Sequence, residues 1–221
     1  MKTEYCSCRR PDFLDSGDGN TRVCIGCGAF AEPDHHHPYL HADLDRNRGS
    51  HIRLLQLLPG NYFDDIHGDL FEADLETDPE YEAVSYTWAD ENGDASLSRR
   101  IWLSKKLLMI TINCQRALRR LRRQDASRTL WVDAICINQA NLQERLHQVS
   151  QMKEVYQQAR QVMIYVGEAS DDSDFLLDYL DNSDWSPVRE LQRRLAEAAR
   201  NFFLRNWFHR IWVLQEVLLA R

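Results

Sequence analysis

The sequence predicts an α/β domain: a parallel-core sheet with added antiparallel strands and C-terminal helices, preceded by a small zinc-ribbon-like module. Three observations lead there. Two close cysteine pairs open the chain. Strand-like patterns fill the stretch from His51 to Ile110. Then "TLWVDAICI", "NLQERLHQVSQMKEVYQQA" and "QVMIYVG" succeed one another as an apolar run, an amphipathic helix and a second apolar run. Strand, crossover helix and strand in that order make a β-α-β unit, whose strands run parallel with a right-handed crossover.

The first module rests on Cys6 and Cys8 ("CSC") and on Cys24 and Cys27 ("CIGCG"). Each pair offers two thiolates from one tight turn, and two turns close a tetrahedron around zinc. Gly26 and Gly28 suit the second turn, where backbone amides face sulfur. So short a segment cannot build a core, so a structural metal would supply most of its folding energy. A disordered tail with incidental cysteines and a redox pair are the competing readings. His35 to His37, between Pro33 and Pro38, read as a solvated linker with some capacity to bind metal. Residues 1–40 are therefore taken as module and linker, and 51–221 as the main domain.

In the main domain "HIRLLQLLPG" reads as a strand ended by Pro59-Gly60, and "IHGDLFEADL" as a half-buried strand. "YEAVSYTWA" is rich in β-formers. "RIWLSKKLLMI" reads as two short strands around a Ser104-Lys105-Lys106 turn. "TINCQRALRRLRR" is helical, with Thr111 or Asn113 as N-cap. "TLWVDAICI" reads as one strand covered on both faces. The helix after it carries one apolar stripe: Leu142, Leu146, Val149, Met152 and Val155 or Tyr156. Asn141 as N-cap with Glu144 three residues on resembles a capping box. Beyond Gly167 the patterns are helical: "DSDFLLDYLDN" with Asp and Ser caps, "SPVRELQRRLAEAARNFF" with Ser186 as cap and Pro187 in the first turn, and "HRIWVLQEVLLA".

Several functions are excluded or disfavoured. The net charge of −7 makes nucleic acid and anionic membrane poor partners. The "RRLRR" run (Arg119 to Arg123) reads as a solvated helix face, because it lacks interleaved aromatics. No apolar run approaches the ~20 residues of a membrane span. "MKTEYCSCRRPDF" has no apolar signal core, so a cytoplasmic location with reduced cysteines is expected. There is no phosphate-binding P-loop, no GxSxG elbow and no HExxH, and the one GxG lies inside the cysteine module. His147 and His209 are isolated.

Two clusters carry possible chemistry. Asp133 lies at a strand-to-helix junction, where a covered carboxylate must be paired or hydrogen-bonded. It is either a tether or a group near a ligand cleft at the strand's carboxyl end, with Asn138 and Gln139 in the loop beyond. Those two amides suit turn-fixing and ligand contact alike. Further on, Trp212 and Glu216 are four residues apart and share one helix face. Glu216 there is either a general acid or base, or a carboxylate that steadies a cation, or an ordinary surface ion-pair partner beside a core Trp.

"YEAVSYTW" (Tyr81 to Trp88), the block from Leu130 to Gly167, and "RIWVLQE" (Arg210 to Glu216) resemble the three signature blocks of the fungal heterokaryon incompatibility (HET) domain. The resemblance covers Ile52 to Arg221. One departure is visible: Ala89 follows Trp88 where the family usually has glycine. The resemblance implies a role in fungal non-self recognition and programmed cell death, with protein partners of an incompatibility system and self-association. It also implies distant similarity to TIR domains, hence a flavodoxin-like parallel sheet. Several TIR domains cleave NAD using a Glu four residues after a Trp, the spacing of Trp212 and Glu216. On that reading Glu216 and Trp212 are catalytic, and Tyr86, Trp88, Asp133, Asn138 and Gln139 shape the NAD pocket. The alternative is a non-catalytic module that signals by contacts. A third reading gives the cysteine module a recognition role.

Overall fold

The computed structural model describes residues 6, 8, 13–15, 22–29, 37–44, 50–182 and 189–210. The chain divides into two compact units, Met1–His37 and Pro38–Arg221. In the first, β1 (Phe13–Asp15) and β2 (Arg22–Cys24) form an antiparallel hairpin.

The second unit is built on one mixed seven-stranded sheet. Its strands are β3 (His51–Leu57), β4 (His67–Asp74), β5 (Glu82–Tyr86), β6 (Arg99–Leu103), β7 (Lys106–Ile110), β8 (Arg128–Trp131) and β9 (Gln161–Tyr165), in the order β7-β6-β4-β3-β8-β5-β9. The parallel core is β8-β5-β9. β5 lies between the two strands of the expected β-α-β unit. β3 runs antiparallel to both β4 and β8, β6 antiparallel to β7, and β4 pairs parallel with β6. The β6–β7 turn is Ser104-Lys105, both at positive φ (48° and 66°), the left-handed pair that matches the twist of a two-residue hairpin.

Helix α1 (Ile112–Leu121) starts where Thr111 accepts the Cys114 amide at 3.2 Å, so Thr111 is the cap and Asn113 is free for other work. The basic run at its end is not simply solvated. Arg122 is buried and donates to the carbonyls of Asp65 at 2.7 Å, Asp64 at 2.9 Å and Asn61, pinning the loop before β4.

The middle block departs from the sequence reading in three ways. The strand stops at Trp131, and Asp133–Cys136 forms a single helical turn, α2. A short apolar run does not separate a covered strand from a buried helical turn. The turn is closed by the Cys136 amide on the Val132 carbonyl at 2.7 Å, and the Asp133 carboxylate accepts the Ala134 amide at 2.7 Å. Next, the following helix is two helices, α3 (Leu142–Ser150) and α4 (Met152–Gln158), meeting at Gln151. Finally, the predicted stripe holds only in α4, where Met152, Val155 and Tyr156 are buried. In α3, Leu142 and Leu146 are 54% and 59% exposed, while Glu144 and Gln148 are 1% exposed.

The reason is Arg53, buried on β3. Its guanidinium meets both Glu144 carboxylate oxygens, at 2.5 and 3.0 Å, and donates to the carbonyls of Cys136 at 3.0 Å and Ala42 at 2.5 Å. A buried charge needs a counter-charge more than a leucine needs cover, so α3 turns its polar face inward. Asn141 does accept the Glu144 amide at 3.2 Å, but the Glu144 side chain reaches Arg53 and the Asn138 amide at 2.7 Å rather than closing a capping box.

The core gathers Ile52, Leu54, Leu55 and Leu57 of β3, Val84 and Tyr86 of β5, and Trp131 of β8. Trp131 meets Tyr156 of α4 edge-on at 5.6 Å between ring centroids. After β9 come α5 (Asp171–Asn182), α6 (Arg189–Phe203) and a 3-10 turn, Asn206–His209. Ser170 and Ser173 cap α5 reciprocally, at 3.2 and 2.8 Å. Ser186, Pro187 and the last predicted helix beyond Arg210 lie outside the described residues. Among the described residues no helix is long and apolar enough to cross a membrane.

Candidate functional site

The carboxyl ends of the parallel strands β5 and β9 open onto a cleft of about 370 Å³. That is the end of an open α/β sheet where ligands bind, and the volume is within the range of small-molecule pockets. Four hydrogen bonds build its walls. Asn113 of α1 donates to the carbonyls of Thr87 at 2.9 Å and Ala89 at 3.0 Å, fixing the loop after β5. The Trp207 indole N–H donates to the Ser85 hydroxyl at 2.7 Å, drawing the 3-10 turn onto β5. Asn206 donates to the Asp90 carbonyl at 3.2 Å. Gly167 closes the β9 side at φ +119°, a conformation that side chains rarely adopt.

The departure at Ala89 costs nothing here, since Ala89 is not among the residues at positive φ. A glycine is not needed for this turn.

Charges of both signs flank the cleft. The Asp90 carboxylate accepts the Asp94 and Asn92 amides, each at 2.9 Å, which holds it below the usual carboxylate range. Glu168 would be raised by burial, but the Arg120 guanidinium and the Tyr165 hydroxyl (2.8 Å) outweigh this and lower it. The Thr87 hydroxyl is a buried atom with no hydrogen-bond partner among the described residues.

Of the pocket residues read from sequence, Tyr86 ends β5 and is buried. Its hydroxyl has no well-formed hydrogen bond among the described residues, and burial holds its ionisation well above the usual range. Neighbouring Cys114 is pushed up to about 12 by burial, so it stays a thiol and is no nucleophile. The Trp88 indole donates to Asp133 at 2.8 Å, tying the first block to the second. Burial raises the Asp133 carboxyl, opposed by Trp88, the Ala134 amide and the charge of Arg210.

Asn138 and Gln139 are engaged within their own loop. Asn138 accepts the Ala140 amide at 3.3 Å, and Gln139 donates to the Asp133 carbonyl at 2.9 Å. None of Tyr86, Trp88, Asp133, Asn138 and Gln139 lines the cleft; the lining residue of the first block is Thr87, between Tyr86 and Trp88. Trp212 and Glu216 lie outside the described residues; the described chain ends at Arg210, three residues past Trp207. Asn113, Gly167, Asn206 and Trp207 were not singled out from sequence as site residues. The aromatic cluster "NWFHR" just ahead of the third block was the available signal for Trp207.

In the first unit the sulfurs of Cys6, Cys8, Cys24 and Cys27 all lie within 4.8 Å of one another, a set of donors with metal-ligating chemistry.

The family model of the heterokaryon incompatibility protein (HET) matches residues 81–216, which contain all of the cleft's lining residues and all three blocks. "Heterokaryon incompatibility protein 6, OR allele" of Neurospora crassa is 30% identical over 218 residues, covering 77% of this chain and 32% of that protein. The chain thus spans about a third of the length of this curated relative. No solved structure matches it. With the family model matching more than half of the chain, from β5 through the third block, the chain belongs to the heterokaryon incompatibility (HET) family.

Proposed function

We propose that the chain is the effector part of a fungal heterokaryon incompatibility protein, and that its cleft takes NAD and hydrolyses the nicotinamide–ribose bond, as in TIR domains, with cell death as the outcome. One observation carries this reading. The loop after β5, Gly167 at the end of the middle block, and Trp207 just ahead of the third block line one cleft at the carboxyl ends of parallel strands. The three-stranded parallel core β8-β5-β9 supports the TIR-like side of the proposal.

The reaction is NAD and water giving ADP-ribose, nicotinamide and a proton. As the glycosidic bond breaks, the electron pair leaves with nicotinamide and positive charge spreads over the ribose ring. A carboxylate facing that ring stabilises the charge where it develops. Glu216, four residues after Trp212 in the sequence, is assigned that role. Concentrated purified chain incubated with NAD is expected to release nicotinamide. NAD left intact at every protein concentration would remove the enzymatic reading.

The exposed row Leu142, Leu146 and Val149 favours a second reading, a contact module whose partner is another copy of this chain. Light scattering should then give a mass above the monomer that Leu142→Asp/Leu146→Asp returns to monomer. A wild-type mass that stays monomeric as concentration rises removes this reading.

A further inference from the structure

We propose that Cys6, Cys8, Cys24 and Cys27 form a closed tetrathiolate zinc site that holds the first unit together.

The geometry is that of a metal cluster rather than of disulfides. Sulfurs at Zn–S distances of about 2.3 Å at the corners of a regular tetrahedron lie about 3.8 Å apart. Cys8 and Cys24 are 3.9 Å apart, and Cys6 and Cys27 are 3.5 Å apart. A disulfide needs about 2.05 Å. The two short separations each join one turn to the other. Two turns that share a single ion require this cross-linking, whereas two incidental pairs do not.

The backbone is arranged for the same task. The Cys8 amide points at the Cys6 sulfur at 3.4 Å. The second turn is closed by Gly28 N–H to Cys24 C=O at 2.8 Å, with Gly28 at φ +71°. The Cys24 amide reaches the Ala29 carbonyl at 2.9 Å, which brings the chain back on itself after the turn. The β1–β2 hairpin places Cys24 opposite Phe13 and so returns the chain from the first cysteine pair to the second.

Little of the first unit's described part is buried. Among the first unit's residues whose burial is described, Cys24, at 1% exposure, is the one buried side chain, while Leu14 and Ile25 are 61% and 57% exposed. A module this short cannot bury a sufficient core and needs a staple, and a metal is one of the few available. Four sulfur donors in a tetrahedron select zinc over magnesium, calcium or manganese, which prefer oxygen. Four protein ligands also leave no position for water, so the site is structural and not catalytic. Its existence is independent of any chemistry in the HET unit.

Metal analysis of the freshly purified full chain should find one zinc per chain. A mercurial reagent should release it as the thiols react, and Co²⁺ exchanged into the site should give the intense visible bands of tetrahedral thiolate coordination. Cys24→Ser/Cys27→Ser should lose the metal while the unfolding transition of the HET unit persists. Cys8→His should keep it and Cys8→Ala should not, because histidine replaces a thiolate ligand and a methyl group does not. Four free thiols with no retained metal, iron in place of zinc, a mass showing two disulfides, or zinc unchanged in the double serine variant would each overturn the assignment.

Discussion

Replacing Glu144 by alanine is expected to destabilise the HET unit by about 3–5 kcal/mol, because it leaves the buried Arg53 guanidinium without its counter-charge. Arg53 is 4% exposed and Glu144 is 1% exposed, so water cannot take the place of either partner. In a unit of this size the loss corresponds to a melting point lower by on the order of 10 °C. The hub also fixes chain segments far apart in sequence. Arg53 holds the Ala42 and Cys136 carbonyls, and Glu144 holds the Asn138 amide at the start of the loop before α3. Arg53→Met with Glu144→Leu should recover most of the stability, since an apolar pair removes both desolvation costs at once.

The pH dependence has a definite sign. Burial pushes the Glu144 carboxyl up, but the Arg53 guanidinium and the Asn138 amide prevail and hold it below the usual value. A group whose folded pKa is depressed stabilises the fold above its unfolded pKa, near 4.3. That stability disappears as pH falls through the folded value. Thermal melts of wild type and Glu144→Ala should therefore converge in acid and diverge toward neutrality. A constant difference across that window would remove the ion pair as its source.

Glu216→Gln should lower nicotinamide release by roughly 10²–10⁴-fold while leaving the melting point unchanged. Glutamine keeps the shape and loses the charge. It can still contact a ribose hydroxyl but cannot balance the positive charge of the breaking bond. The loss should therefore fall on kcat more than on KM. A variant that releases nicotinamide at the wild-type rate would mean that another group does the work.

What could be read from sequence divides along contact range. α1, the β6–β7 hairpin and β9 rest on local signals: a capping Thr111, a turn at Ser104-Lys105, and a β-branched run ended by Gly167. The four cysteines were also legible, because their spacing within each turn is local. The inward face of α3 was not. Its cause is Arg53, 91 residues before Glu144, and periodicity in α3 alone assigns the leucines to the core. The cleft has the same limit. The first-block loop was marked by its residues. The walls around it depend on Trp207 bonding Ser85 across 122 residues, and on Asn113 bonding Thr87 and Ala89 from another element. Asp133 shows both sides. The need for a partner was evident in the sequence, but the partner, Trp88, and the helical turn were not.

The cleft is tested most directly by titrating NAD into isotope-labelled Glu216→Gln chain and following backbone amide and indole resonances by NMR. Saturable shifts are expected at Thr87, at Gly167 and at the Trp207 indole N–H, with α3 and the cysteine module unmoved. If those three resonances stay fixed at high NAD, or the shifts gather on α3 instead, the cleft at the ends of β5 and β9 is not the NAD site.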